Sequence, residues 1–189
     1  MWGVPFIMAK YGIDKAVASG AVMTIYIGFG LGASLIDYAA TLLQSHRQPM
    51  RYGALCTLTV FLSIIYLDMP FWLVYVALLS AGFFTAMQLI SFTTILSLNP
   101  PQFGATASAF HNMLSMCSGI ISQPLIGHLI DRFWTGGLNH HGCPDYALSD
   151  YQGALLVIPI GLGVSFLLSF FMTDSFIPAE PAKPKMTKE

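Results

Sequence analysis

Charged side chains are scarce in this sequence. Eight Lys and Arg residues and nine Asp and Glu residues make up 9% of the 189 residues, and the net charge is −1. Ordinary soluble domains carry about 25% charged residues, so this chain has too few to cover a globule with a solvated surface. The shortage excludes a soluble enzyme domain and a disordered chain. The near-neutral balance also provides no basic surface for phosphate backbones, so no nucleic-acid partner is predicted.

Cysteine is scarce too, and the motifs of common enzymes are missing. The three cysteines are scattered and form no CxxC pair and no disulfide framework. The GxSxG, HExxH and P-loop patterns are absent, so the chain is not predicted to be an enzyme. Metal-ligand residue types occur together in one loop, but their spacing fits no established zinc pattern, and no metal or cofactor is predicted. These residues are His140, His141, Cys143 and Asp145.

What the sequence does contain is long apolar runs. Hydrophobic residues make up 55% of the chain, and the mean hydropathy is +0.67. A helix needs about 20 apolar residues to cross a hydrocarbon core of about 30 Å. The runs therefore predict an all-α integral membrane protein, a bundle with five spans between residues 16 and 175. The predicted spans cover residues 16–43, 53–66 with flanks from 50, 71–98, 104–130 and 153–172.

The two ends of the sequence differ from these spans. Residues 1–10 are apolar but cover only about 15 Å as a helix, so they are predicted to be the truncated end of a longer transmembrane helix. Residues 176–189 are rich in Pro and Lys and are predicted to be a disordered tail.

Basic residues indicate the orientation. One side of the predicted topology holds five of them, Arg47, Arg51, Lys183, Lys185 and Lys188, and the other holds Lys10, Lys15 and Arg132. Because cytoplasmic loops carry an excess of Lys and Arg, the five-residue side, which includes the C-terminus, is predicted to be cytoplasmic. The short loops suggest a bacterial inner membrane.

Several segments resemble a known family when they are taken in order and at the spacing of spans. The segments are WGVPF at residues 2–6, IGFGLGA at 27–33, NPPQFGATASAF at 99–110, QPLIG at 123–127 and DYQGAL at 150–155. Together they resemble the C-terminal half, spans seven to twelve, of a major facilitator superfamily transporter, with the first span truncated. The chain is similar to that half over nearly its whole length.

The resemblance implies a fold, a function and partners. It implies one six-helix half of the superfamily fold with a cytoplasmic C-terminus. The implied function is transport of a small solute by alternating access, with proton coupling left open. The implied partners are membrane lipid, the solute, and an N-terminal six-helix half or a second copy of the chain. Substrate sites of such transporters lie near the midplane between the halves.

The family's gating pattern after span eight is altered here. Asp37 keeps the acid of a Gly-x-x-x-Asp-Arg/Lys-x-Gly-Arg-Arg pattern, and Arg47 and Arg51 lie further along the chain. Other residues stand at the glycine and basic positions, namely Ala33, Tyr38, Ala40 and Thr41. Asp37 is therefore a candidate gating or proton-linked residue together with Arg47. The alternative is an interfacial acid that pairs with one of the two arginines.

Small and polar residues within the spans supply the remaining candidates. Gly28 and Gly32 form a small-xxx-small pair that favours close helix packing, with a loose point for rocking as the alternative. Gly119 is a third candidate packing residue. Gln88, near the middle of the run 71–98, is predicted either to contact substrate or to bond a neighbouring helix.

The run 104–130 carries a polar stripe. His111, Ser115, Ser118 and Ser122 follow the i, i+4, i+7, i+11 rule, with Asn112 beside them. Gln88, His111, Asn112 and Ser115 are the candidate substrate-binding residues. Because an imidazole can accept and release protons, His111 is also a proton-linked candidate. A neutral histidine that bonds a neighbouring helix is the alternative.

Two interpretations of the whole chain follow. The leading one is half of a secondary active transporter, of the symporter type if protons are coupled. The alternative is a non-transporting fragment of a split transporter gene or a membrane interaction subunit.

Overall fold

The computed structural model of the chain describes residues 2–134, 136–137 and 146–172, without the side chains of Asp37 and Ala39. Every regular element in this part of the chain is helical. The α-helices are α1 (Gly3–Tyr11), α2 (Lys15–Ser34), α3 (Ile36–Leu43), α4 (Arg47–Tyr66), α5 (Phe71–Thr85), α6 (Ile90–Ser97), α7 (Gly104–Phe133), α8 (Leu148–Leu155) and α9 (Val157–Leu168). Two short 3₁₀ segments, Ala86–Leu89 and Pro101–Phe103, precede α6 and α7.

Five helical segments of the described chain are long and apolar enough to cross a membrane. They are Lys15–Ser34, Arg47–Tyr66, Phe71–Ser97, Pro101–Phe133 and Leu148–Leu168. This confirms the all-helical class and the predicted number of helices able to span. The predicted disordered tail and the loop residues His140, His141, Cys143 and Asp145 lie outside the described residues.

The first predicted span is divided in the structure. Leu35 leaves helical geometry, with φ −106° and ψ 4°, and its N–H donates to Gly32 O at 3.1 Å instead of to the carbonyl four residues back. The predicted run 16–43 is therefore two helices, α2 and α3. Most side chains on both sides of the break are apolar, so the length of the hydrophobic run did not reveal it.

The second predicted span begins earlier than expected. α4 starts at Arg47, six residues before residue 53 and three before the predicted flank at residue 50. Pro49 lies in the first turn of α4, where a missing N–H removes no helical hydrogen bond. Arg47, predicted as a loop residue, is thus the first residue of a helix.

The buried core lies towards one end of the bundle. Its members come from the beginning of α2 and α5, the end of α4 and α7, and from α1 and α8; they are Phe6, Ile7, Ala18, Ala21, Ile64, Ile65, Val74, Leu78, Ile126, Ile130, Tyr151, Ala154 and Leu155. We call this the Lys10 end, because Lys10 lies beside it. Since burial of apolar surface is the main stabilising contribution in the core, the Lys10 end is the well-packed part of the protein.

Polar contacts fasten α1 at the Lys10 end. Lys10 Nζ donates to the carbonyls of Ile64 at 2.8 Å, Ile65 at 3.5 Å and Leu67 at 2.6 Å. The first two carbonyls belong to the last turn of α4, where oxygens lack helical partners and carry the negative end of the helix dipole, and Leu67 is the residue that caps the helix. Gly12 then ends α1 with φ 62°, a left-handed conformation that glycine adopts without strain.

Candidate functional site

The predicted packing glycines lie at a close contact between α2 and α5. A Cβ added to Gly28 would lie 1.9 Å from Leu79 O, and one added to Gly82 on α5 would lie 1.9 Å from Ile25 O. Gly32 is similarly close to Phe83 O, at 2.4 Å. The two backbones touch directly here, and any side chain would push them apart.

Gly119, the third predicted packing residue, has a different environment. No atom of the described chain lies within 4 Å of the position that its Cβ would take. It is exposed on α7, in a stretch where Asn112 to Ile121 are all exposed. The two glycines on α2 and the glycine on α7 therefore do not share a contact.

His111 contacts the neighbouring helix α6. Its Nε2 lies 2.9 Å from Ser91 Oγ, and its ring packs edge-on against Phe92 with centroids 4.2 Å apart. Ser91 Oγ also donates to Gln88 O at 2.6 Å. The imidazole therefore joins α7 to the start of α6, and Ser91 links this contact to the preceding 3₁₀ segment.

The serine hydroxyls of the polar stripe bond within their own helix. Ser115 Oγ donates to His111 O at 3.0 Å, Ser118 Oγ to Ser115 O at 2.7 Å and Ser122 Oγ to Gly119 O at 3.5 Å. Such bonds to carbonyls three or four residues back satisfy a hydroxyl without a neighbouring helix. The stripe therefore needs less external hydrogen bonding than its sequence pattern indicates.

Gln88 and the polar stripe line different spaces. Gln88 lines a cavity of about 280 Å³ with residues of α4, α5 and α9, and neither His111, Asn112 nor Ser115 is among its lining residues. Asn112 is exposed and has no hydrogen-bond partner among the described residues. Among the four candidate substrate-binding residues, Ser115 bonds to the backbone of His111, and Ser91 links the His111 ring to the backbone of Gln88. The described structure does not gather their side chains around one cavity.

The candidate gating residues lie at the end of the bundle opposite the Lys10 end. Asp37 belongs to α3, and its side chain lies outside the described part of the structure. Arg47 begins α4, and its Nε is buried without a hydrogen-bond partner among the described residues. Arg51 donates from Nη2 to Ser169 O at 3.2 Å, with its guanidinium 4.1 Å from the centre of the Phe170 ring. Arg51 thus ties α4 to the end of α9.

Sequence reasoning missed the contacts around Lys10. Gln152 Nε2 donates to Ile65 O at 2.9 Å and Tyr11 OH to Met69 O at 3.0 Å, beside the three bonds of Lys10. A lysine that directly follows an apolar run is typical of a charged group at a helix end. That signal could have flagged Lys10, although not its partners 54 to 57 residues away.

Tyr146, which lies outside the spans just before α8, bonds to Asp131 in the last turn of α7. Tyr146 OH donates to Asp131 Oδ1 at 2.5 Å. The hydrogen bond to the carboxylate, together with burial and the charge of Asp131, raises the pKa of Tyr146 to about 12. Asp150 Oδ2 accepts from Ala147 N at 2.9 Å and so caps the start of α8.

Thr57 was also missed by sequence reasoning. It lies on α4, is 2% exposed, and its Oγ1 has no hydrogen-bond partner among the described residues. It lines both the cavity that contains Gln88 and a second, more apolar cavity of about 400 Å³ beside Tyr26 and Phe61. A buried hydroxyl without a partner costs about 1–3 kcal/mol.

Within the described residues no three His, Cys, Asp or Glu side chains come together as a metal site would require. Comparisons of the chain with protein-family models, with curated proteins and with solved structures find no match.

Proposed function

We propose that the chain is one half of a secondary active transporter, resembling the C-terminal half of a major facilitator superfamily protein, and that it moves a small solute by alternating access. In this proposal α7 borders the solute pathway, and His111, Asn112 and Ser115 face it. A second half completes the pathway, either an N-terminal six-helix half or a second copy of the chain.

One observation carries the proposal, namely that the polar face of α7 is exposed in the middle of a candidate span. Only 11% of the most apolar stretch of Pro101–Phe133 is buried, whereas 39% of the most apolar stretch of Phe71–Ser97 is buried. Asn112 presents its amide there without a partner in the described chain. Lipid cannot satisfy an amide, so protein or water must cover this face.

The proposed role of His111 is proton-linked. Its Nε2 bonds Ser91 and its ring packs on Phe92, so protonation would alter the contact between α7 and α6. Imidazole is the side chain that titrates near neutral pH, which suits it to coupling proton movement to a change in helix packing. Asp37 and Arg47 are proposed to act at the gate, at the opposite end from Lys10.

The second candidate function is a membrane interaction subunit without transport. It is favoured by the serine hydroxyls, because all three bond within α7 and need no water. The face would then be an interface between proteins in the membrane.

Cysteine labelling separates the two functions. In a background with Cys56, Cys117 and Cys143 changed to Ser, Ser115→Cys is compared with the control Ile120→Cys, which lies on the opposite face of α7. In proteoliposomes that hold the chain with its second half or as its own oligomer, a membrane-impermeant maleimide is expected to label residue 115 at least tenfold faster.

Equal and slow labelling of both positions would contradict the aqueous pathway and support the interaction subunit. The mass of the protein in detergent, measured on the same sample, shows whether a second copy is present.

A further inference from the structure

Arg47, the first residue of α4, has donors that the described chain does not use. Its side chain is half-buried and makes no hydrogen bond with any described residue. The buried polar atoms without a partner include its Nε but neither of its Nη nitrogens, so both Nη groups keep accessible surface. A guanidinium carries five N–H donors and no acceptor. Arg47 is therefore placed to bind an anion from outside the described chain.

The neighbouring arginine on α4 is already engaged. Arg51, one turn beyond Arg47, donates from Nη2 to Ser169 O at 3.2 Å, and its guanidinium lies 4.1 Å from the centre of the Phe170 ring. It thereby holds the end of α9 beside the start of α4. Its positive charge adds to that of Arg47, so the potential at this end of α4 favours a negative ligand.

Two adjoining cavities extend along α4 from this end. Their volumes are about 280 and 400 Å³, and they share Thr57, Thr85 and Leu162. We call them the α4 cavities. No charged residue is among those that line them, and the larger one is walled by aromatic side chains such as Tyr26 and Phe61. An occupant of both cavities is therefore uncharged and largely apolar along its length, since an unpaired charge there would lose its hydration.

Arg47 lies on the same face of α4 as the lining of the α4 cavities. Steps of three and four residues lead from Arg47 to Met50, Ala54, Thr57 and Phe61. This spacing keeps side chains on one face of a helix. Met50 is the lining residue nearest the start of α4, about 4.5 Å of helical rise from Arg47. Because helical side chains lean towards the N-terminus, the guanidinium is directed beyond Met50, to the mouth of the cavities.

The length of the α4 cavities matches the depth of one membrane leaflet. Met50 and Phe61 are eleven residues apart on α4, which is about 17 Å at 1.5 Å per residue. Half of a hydrocarbon core of about 30 Å is about 15 Å. An acyl chain that enters at the mouth therefore reaches the middle of the bilayer while its head group stays beside Arg47.

The charge at the mouth favours an anionic head group. Arg47 lies on the side that the basic residues predict to be cytoplasmic, and the cytoplasmic leaflet carries anionic lipids. A guanidinium matches a phosphate group, since its N–H donors form parallel bonds to two phosphate oxygens. Free phosphate would match Arg47 but would leave the apolar cavities unfilled, whereas a phospholipid suits both.

We propose that the start of α4 binds an anionic phospholipid. Its phosphate accepts hydrogen bonds from the Nη groups of Arg47, and one of its acyl chains lies in the α4 cavities. This inference does not depend on transport, and either can fail without the other. The competing explanation is a pair between Arg47 and Asp37, which the variants below separate from lipid binding.

Lipid titration tests the head group. The full chain in a non-ionic detergent is titrated with phosphatidylglycerol, with phosphatidylcholine of the same acyl chains, or with inorganic phosphate, and the midpoint of thermal unfolding is measured. Phosphatidylglycerol is expected to raise the midpoint by about 3–6 °C at ten times its half-saturating concentration. Phosphatidylcholine is expected to give less than about a third of that shift, and inorganic phosphate none. Equal shifts from the two lipids, or the full shift from inorganic phosphate, overturn the proposal.

Charge variants identify the arginine. Arg47→Gln is expected to raise the half-saturating concentration of phosphatidylglycerol at least tenfold, as for the loss of hydrogen bonds between charged groups. Arg132→Gln, which makes the same change at an exposed position in the last turn of α7, is the matched control and should change it less than about twofold. If Arg47→Gln and Asp37→Asn instead lower the lipid-free midpoint equally and neither alters the response to phosphatidylglycerol, Arg47 serves Asp37 and the proposal is overturned.

A cavity-filling variant tests the acyl chain. Ala54→Phe places a ring in the smaller of the α4 cavities and is expected to raise the half-saturating concentration at least fivefold. Ala109→Phe, at an exposed position on α7, is the matched control and should leave it unchanged. If both variants bind phosphatidylglycerol as wild type does, the acyl chain lies elsewhere and the proposal fails.

Photo-cross-linking gives a measurement that does not depend on stability. Phosphatidylglycerol with a diazirine in the middle of one acyl chain is expected to label residues 50–61 of α4 in the wild-type chain. Excess unlabelled phosphatidylglycerol should compete, and Arg47→Gln should reduce the labelling at least tenfold. Labelling of α7 as strong as that of α4, or labelling that Arg47→Gln leaves unchanged, overturns the proposal.

Discussion

The spans that contain α5 and α7 are both apolar and long enough to cross a membrane, yet they are buried to different extents. In α5, Gly82 contacts the backbone of α2 directly. In the span that contains α5, 39% of the most apolar stretch is buried. In α7, Gly119 has open space around it, and only 11% of the most apolar stretch of that span is buried. Small residues therefore promote helix contact only where the facing helix also presents small residues. Gly119 on α7 lies on a face that the described chain leaves exposed.

The largest expected effect comes from testing the glycines themselves. Gly28→Ala should lower the free energy of unfolding by about 3 kcal/mol, because its Cβ would lie 1.9 Å from a backbone oxygen that cannot move alone. Gly119→Ala should be neutral or stabilising by up to about 1 kcal/mol through helix propensity. Chemical unfolding in detergent measures both, and equal losses would remove the contrast between α5 and α7.

The next largest effect is expected from the hydrogen bonds of Lys10 at the Lys10 end. Lys10→Met keeps the length of the side chain and removes the bonds to three carbonyls of α4. A loss of about 2 kcal/mol is expected, as for hydrogen bonds to a charged group. Lys15→Met, at the exposed start of α2, serves as the control and should change stability by less than about 0.5 kcal/mol. A similar loss in both variants would show that charge alone, rather than this contact, is responsible.

A smaller effect is expected at the contact that α7 makes with α6. His111→Gln keeps a hydrogen-bonding group near Ser91 and loses the packing on Phe92, for a cost of about 1 kcal/mol. Membrane insertion should be normal. In an assembled transporter the pH dependence of solute uptake should change, because the titrating ring is gone. An unchanged pH profile would assign His111 to packing alone.

The smallest effect lies outside the spans, between the end of α7 and the start of α8. The folded protein raises the pKa of Tyr146 from about 10 to about 12. The protonated phenol is therefore favoured by folding, and its contribution is complete below pH 10 and is lost as pH rises towards 12. Since the pair is exposed to solvent, Tyr146→Phe should cost less than about 1 kcal/mol near neutral pH. Wild type and variant should converge in stability above pH 12, and a constant difference would exclude this origin.

The sequence was sufficient to predict the helices able to span the membrane, but not where those helices begin or break. Run length and charge scarcity predicted five helices able to span, because lipid selects for both. The break at Leu35 was missed, since a change in backbone hydrogen bonding within an apolar run leaves the hydrophobic pattern intact. The early start of α4 was missed because Arg47, Gln48 and Pro49 are typical loop residues that also suit a first helical turn.

The candidate site was predictable residue by residue but not as an arrangement. The spacing of His111 and Ser115 correctly placed them one turn apart on one helix, yet it could not show that Ser115 bonds to the backbone of His111. Nor could it show that Gln88 faces α9 instead of α7. The two cavities beside Thr57 were not predictable, because they are lined by residues of four helices whose packing no local pattern encodes.

The contacts of α1 also set an order of events during synthesis. Lys10 finds its carbonyl partners 54 to 57 residues later in the chain, and Trp2 finds Gln123 after 121 residues. At about 5–20 residues per second, the ribosome makes the first set within about 3–11 s and Gln123 only after about 6–24 s. α1 is thus made well before the residues that fix it in place. Throughout that interval the insertion machinery or lipid must shelter its apolar surface and leave Lys10 able to move.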